Sequence, residues 1–122
     1  MAERIDYAPD ILRQRLVIEG IYTFPQIKEI DLIDFLILLS HEMRMHVVYG
    51  PKVMDLAGEI NPKHAGLEGI MIWAESGVQC YTWEKQKFFT CDIYSCKQFD
   101  VEKTVAFVKD FFMAEKITHK SV

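Results

Sequence analysis

The spacing of apolar residues along this chain of 122 changes several times, and each change marks an element. In residues 15–23, RLVIEGIYT, β-branched residues partly alternate with polar ones until Phe24 and Pro25, which predicts a first strand. In residues 28–44 the spacing lengthens. Ile30, Ile33, Leu36, Ile37, Ser40 and Met43 recur at three and four residues, the period of an amphipathic helix. Residues 45–49 form a short β-rich run closed by Gly50 and Pro51, and residues 53–56 can extend it past that turn. Residues 59–69, with Asn61-Pro62 and two glycines, predict a loop. Three strand-like runs follow, 70–74, 78–83 and 88–94, joined by a turn at Ser76-Gly77 and by the charged link 84–87. Strands connected so tightly must be antiparallel. Asp100 is placed to cap a second helix carrying Val101, Val105, Val108 and Phe112 on one stripe, widened by Phe107 and Phe111. Residues 116–122 predict an edge strand, and residues 1–13, with Pro9, an irregular or short helical lead-in.

The order strand, helix, strand, three-strand meander, helix, edge strand predicts an α+β fold. It is a two-layer α/β sandwich, a largely antiparallel sheet with two helices on one face. The length and the apolar half of the composition fit a single domain over 1–122. Apolar residues in the meander, among them Trp73, Tyr81, Trp83, Phe88 and Tyr94, exceed what one covered face absorbs, so a homodimer through the sheets or their edges is expected.

Charge narrows the partners. Fourteen basic and eighteen acidic residues are interspersed, with net charge −4 and no basic stripe, which argues against nucleic acid or an anionic membrane. The apolar run near 36–39 is bounded by Asp31, Asp34 and His41 and is too short to span a bilayer. The opening MAERIDYAPD has no secretory apolar core, so a cytoplasmic protein is expected. Cys80, Cys91 and Cys96 form no CxxC pair and predict free thiols, and the four histidines have no ligand-like grouping, so no metal site is expected.

The candidate chemistry lies in residues 66–96. Glu75-Ser76 is followed by Tyr81-Thr82-Trp83 and then by Asp92-Ile93-Tyr94-Ser95-Cys96. This pattern resembles the small prokaryotic class of S-adenosylmethionine decarboxylases, whose runs are Glu-Ser-His, His-Thr-Trp-Pro-Glu and Asp-Val-Phe-Thr-Cys. From Glu75 to Cys96 the correspondence needs no gap. The resemblance implies a proenzyme that cuts itself between Glu75 and Ser76 and converts Ser76 into a pyruvoyl cofactor. That carbonyl condenses with the substrate's α-amine and serves as the electron sink for loss of carbon dioxide. Cys96 would return a proton to the carbanion.

The resemblance also implies roles at positions where this chain departs from the pattern. Tyr81 stands where the family has the histidine that assists ester breakdown, and Glu68 where it has a second processing residue, a serine. Gly77 replaces the histidine that directly follows the serine. Lys85 occupies the position of the carboxylate that binds the ribose hydroxyls, with Glu84 one place before it. Ile60 occupies the position of the aromatic residue that stacks on adenine. Trp83 belongs to the shared Thr-Trp pair, and an aromatic there also suits a core or interface.

Two functions follow. One is a pyruvoyl-dependent amino-acid decarboxylase serving polyamine (spermidine) synthesis. Its substrate is S-adenosylmethionine or another amino acid whose side chain meets Glu68 and Glu84. The other is a non-processing homologue that keeps the fold and binds a metabolite or protein partner.

Overall fold

The computed structural model describes residues 5–56 and 65–122. Eight elements follow one another: β1 (Gln14–Tyr22), α1 (Glu29–Glu42), β2 (Val47–Asp55), β3 (Leu67–Trp73), β4 (Ser76–Trp83), β5 (Phe88–Ser95), α2 (Val101–Phe112) and β6 (Ala114–Ser121). The strands form one six-stranded sheet in the order β2-β3-β4-β5-β1-β6, and every neighbouring pair is antiparallel. β3, β4 and β5 make the expected meander, and β6 is the expected edge strand, paired with β1.

Strict alternation decides which face is covered. Leu16 and Ile18 on β1, Met71 and Trp73 on β3, Val78 and Cys80 on β4, and Phe89, Cys91 and Ile93 on β5 are buried beneath the two helices. Phe35 of α1 lies 4.8 Å from Phe112 and 5.1 Å from Phe111 of α2, and Phe112 stacks on Phe89 at 4.3 Å, tying both helices to the sheet. Gly69 lies under α1, where an added Cβ would come within 3.0 Å of Leu32 and Leu36. Asp100 caps α2 as expected, accepting from the Lys103 N–H at 3.0 Å. The alternate residues, including Val17, Ile70, Ile72 and Tyr94, form a second face that neither α1 nor α2 covers, with Ile72 46% exposed.

Two expectations are corrected. The buried stripe of α1 is Leu32, Phe35, Leu36, Leu39 and Ser40, whereas Ile30 and Ile37 are exposed. Apolar residues surround most of this helix, so more than one stripe satisfies the period, and the buried one carries Phe35, whose ring packs against Phe107, Phe111 and Phe112 of α2. Gly50-Pro51 also does not end a strand. β2 runs through it with shifted register, accommodated by Gly50 at φ 102°. Among the described residues no helix is long and apolar enough to cross a membrane.

Candidate active site

The β3–β4 hairpin is pinned before it turns. Trp73, the last residue of β3, donates its indole N–H to Ser40 Oγ at 2.7 Å, and Ser40 donates to the Leu36 carbonyl at 2.7 Å. Trp73 then pairs with Ser76, leaving Ala74 and Glu75 as a two-residue turn. The turn is therefore one step earlier than Ser76-Gly77, because strand pairing continues through Ser76, which also faces Ser95 of β5. Ser76 has φ 140°, a backbone state that side chains rarely adopt and that costs about 1–3 kcal/mol. Gly77 lies within the ladder, opposite Ile72 and Tyr94, and a Cβ there would meet the Met71 carbonyl at 2.7 Å. Crowding by β3, and not a turn, explains the glycine.

Beside Ser76, the peptide carbonyl of Glu75 accepts a hydrogen bond of 2.9 Å from the backbone N–H of Cys96. The chain is bent at this point by Ser95, fully buried, whose hydroxyl donates to the Lys97 carbonyl at 2.7 Å and accepts from the Lys97 N–H at 2.9 Å. Lys97 Nζ in turn donates to the Arg44 carbonyl at 2.7 Å. Cys96 is exposed, in contrast to Cys80 and Cys91, which are free, buried and directly opposite each other. A hydrogen bond with Cys80 and burial push the Cys91 thiol upward, away from reactivity.

The Glu75 side chain is held as well. Its carboxylate accepts from the His46 backbone N–H at 2.9 Å and pairs with His46 Nδ1 at 2.6 Å, while the His46 carbonyl accepts from the Ala74 N–H at 2.8 Å. These hydrogen bonds from His46 hold the Glu75 carboxyl down to about 2. Sequence reasoning missed His46. It lies 29 positions from Glu75, and no spacing rule links them; its one signal is a place just before a strand that must lie beside the hairpin.

The other predicted residues lie at the opposite end of β4. Glu68 and Tyr81 face each other across β3 and β4. Burial, Glu68 and Asp92 push the Tyr81 phenol upward, so it stays protonated at neutral pH. Trp83 is half-buried, its ring 6.3 Å from Tyr81 and 5.4 Å from Phe88. Glu84 and Lys85 are exposed in the β4–β5 link, where Glu84 borders a cleft of about 230 Å³ with Tyr22, Lys28 and Asp55. Tyr81 lies five residue steps along the strand from Ser76, roughly 17 Å. One chain thus gathers Ser76, Glu75 and Cys96, and separately Glu68, Tyr81 and Trp83. Ile60 falls outside the described residues.

Ser76 and Gly77 border a groove of about 590 Å³ on the uncovered sheet face, whose charged margins are Arg15 and Asp92. Its size suits a small molecule. Arg15 lies over the Tyr94 ring at 4.8 Å, and burial together with Glu19 pushes the Asp92 carboxyl upward. Among the described residues no group of three or more His, Cys, Asp or Glu side chains is placed to hold a metal ion. A strained residue bearing a hydroxyl, next to a carbonyl polarised by an N–H, is suited to attack on that carbonyl and to formation of a serine-derived cofactor.

A family model described as S-adenosylmethionine decarboxylase matches residues 15–122. Among solved structures, the adenosylmethionine decarboxylase from Aquifex aeolicus VF5 is similar with a TM-score of 0.71 at 14% identity, covering 92% of this chain and 89% of that one. A comparison with curated proteins found no match.

Proposed function

The family match runs from β1 to the last residue, so the chain belongs to the S-adenosylmethionine decarboxylase family, and on that footing we propose that it is a self-processing, pyruvoyl-dependent decarboxylase cut between Glu75 and Ser76. The observation that carries this reading is the Cys96 N–H on the Glu75 carbonyl at 2.9 Å, beside Ser76 at φ 140°. In the first step Ser76 Oγ bonds to the Glu75 carbonyl carbon. The bond from that carbon to the Ser76 nitrogen breaks, and the hydroxyl proton passes to the nitrogen. The Cys96 N–H stabilises the oxygen that becomes negative as this happens. The resulting ester loses the Ser76 α-proton and releases Glu75 as a carboxylate. Water then replaces the nitrogen, which leaves as ammonia, and the second fragment begins with a ketone.

Pyruvoyl chemistry supplies a carbonyl that condenses with a substrate amine and accepts the electron pair left by departing carbon dioxide. The chain's own residues do the rest. The groove beside Ser76 holds the amino acid and limits water, with Arg15 and Asp92 as its charged groups, and the exposed Cys96 returns the proton to the α-carbon. The substrate is an α-amino acid. With Lys85 at the ribose position and Ile60 at the stacking position, preference for adenosylmethionine is weakened, by analogy with about 1–3 kcal/mol for a stacked base. The product serves polyamine synthesis in the cytoplasm.

The working unit in this reading is a homodimer packed through the uncovered sheet faces. Two observations support it. That face is rich in half-exposed apolar residues such as Val17, Ile70 and Ile72. Glu68 on β3 and Tyr81 on β4 also lie too far from Ser76 to touch it within one chain, so a second copy is the means of supplying them.

The second reading, a non-processing homologue, is favoured by the Tyr81 phenol, which its surroundings keep protonated and which is therefore a poor base. Carbon dioxide release from carboxyl-labelled adenosylmethionine, ornithine, arginine and lysine separates the two. Release from at least one of them, blocked by a carbonyl reagent such as phenylhydrazine, is expected of the enzyme. No release from any of the four favours the homologue.

A further inference from the structure

We propose that His46 is the positioning residue of the self-cleavage, fixing the turn so that the Glu75 carbonyl presents the face that Ser76 attacks; this rests on the self-processing reading above. Its contacts hold both residues of the turn, Ala74 by its backbone and Glu75 by its side chain. The His46 carbonyl accepts from Ala74 N–H at 2.8 Å, its N–H donates to Glu75 Oε1 at 2.9 Å, and its Nδ1 reaches Glu75 Oε2 at 2.6 Å. The Cys96 N–H holds the Glu75 carbonyl oxygen at 2.9 Å from the other side. Attack by Ser76 needs that carbonyl plane kept at one angle, and a two-residue turn has few other means to do so. Rotation about the Glu75 backbone would pull its carboxylate off His46 and its carbonyl off Cys96 together.

His46 contributes no atom to the reaction, in which the bond from Ser76 Oγ to the Glu75 carbon forms as the bond from that carbon to nitrogen breaks. Its side chain is 80% exposed while that of Glu75 is 15% exposed, so the contact gains little from charge and acts by geometry. The exposure also means that replacing the ring removes no core packing. The two-point grip on one carboxylate is what an arrangement for orientation requires, since small displacements of reacting groups are costly in rate.

The test follows cleavage of freshly synthesised chain in a cell-free translation mixture by denaturing electrophoresis. H46A and H46F are expected to slow cleavage roughly 10- to 100-fold while the chain still folds and unfolds in one cooperative thermal transition. H46N keeps a donor where Nδ1 stood and is expected to return the rate to within about threefold of the wild type. Equal rates for wild type and H46A overturn the positioning role, as does an H46N chain as slow as H46A. A wild type that never cleaves overturns the self-processing reading and this inference with it. Cleavage by the wild type together with indifference to His46 overturns this inference alone. A second measurement does not depend on cleavage. In the S76A background, the Glu75 carboxyl titration observed by NMR is expected to move from about 2 toward 4.5 when His46 is also replaced by Ala. No movement overturns the clamp.

Discussion

The two ends of β4 differ in what holds them and in what they keep of the family pattern. At the Ser76 end, the turn is tied to α1 through Trp73 and Ser40, to the segment before β2 through His46, and to the end of β5 through Cys96. The glutamate, serine and cysteine of the pattern are all present there. At the Trp83 end, Glu68 and Tyr81 stand in place of a serine and a histidine, and Glu84 and Lys85 project from an exposed link. The end that, in the proposed reading, makes the cofactor precursor is built for geometry. The end that would help processing and recognise the nucleoside has changed its chemistry on an unchanged frame. In the proposed reading the nucleophile is thus separable from base and specificity, since Ser76 opens β4 while Glu68, Tyr81, Glu84 and Lys85 lie toward the far end of the β3–β4 pair and in the link beyond it.

The largest expected effect breaks the first end. Ser76→Ala removes the nucleophile, and gels of the purified variant are expected to show only uncut chain. Its denaturant midpoint should stay near that of a wild type kept uncut, within about 0.5 kcal/mol, because one half-buried hydroxyl is lost. Cys96→Ala keeps the backbone N–H on the Glu75 carbonyl but loses the thiol. Fragments are still expected, while turnover measured by carbon dioxide release falls by a factor on the order of 10²–10⁴, the usual range for a proton-transfer group. If cleavage slowed sharply and turnover per cut chain did not change, the division of labour within Cys96 would be wrong.

The other end can be sharpened in place of being broken. Tyr81→His restores a base that titrates near neutrality, and the rate of fragment formation is expected to rise on the order of 10- to 100-fold, below the full range for general bases because Glu68 is unchanged. No gain would mean that Tyr81 does not reach the ester, in one chain or across a dimer.

The smallest effect is a pH dependence at the turn. Glu75 has its carboxyl lowered from 4.5 to about 2 by His46, so the contact favours the folded, ionised form. Its contribution is complete above about pH 4.5 and is lost as pH falls toward about 2. Amide exchange at Ala74 and His46 in the S76A chain, taken relative to the intrinsic rate, should accelerate only as pH falls below about 4.5. Acceleration beginning near pH 6 would contradict the assignment.

Much of this was legible in the chain before any coordinates. Period two in the meander, Asp100 before Val101, and the β-branched run at 15–23 all report local physics; α2 and β1 form close to where that physics places them, and β4 starts two residues early, at Ser76. The stripe of α1 was half legible: Leu36, Ser40 and Met43 are buried as expected, but Ile30, Ile33 and Ile37 satisfy the same period as Leu32, Phe35 and Leu39, and only packing against the sheet separates them. Gly50-Pro51 carried the signal of a turn but lies in a bulged strand, since neighbouring β3 continues the pairing past it. At the site, Ser76, Glu75 and Cys96 were recognised by their spacing. His46 was not, because a hydrogen bond between residues 29 apart leaves no period in a sequence.

The central claim concerns one peptide bond, and the intact mass of the purified native-sequence protein under denaturing conditions addresses it most directly. The account predicts two masses, residues 1–75 ending in the Glu75 carboxylate and residues 76–122 beginning with a ketone and blocked to N-terminal sequencing. A single mass for the full chain of 122 residues, unchanged after prolonged incubation, would contradict it.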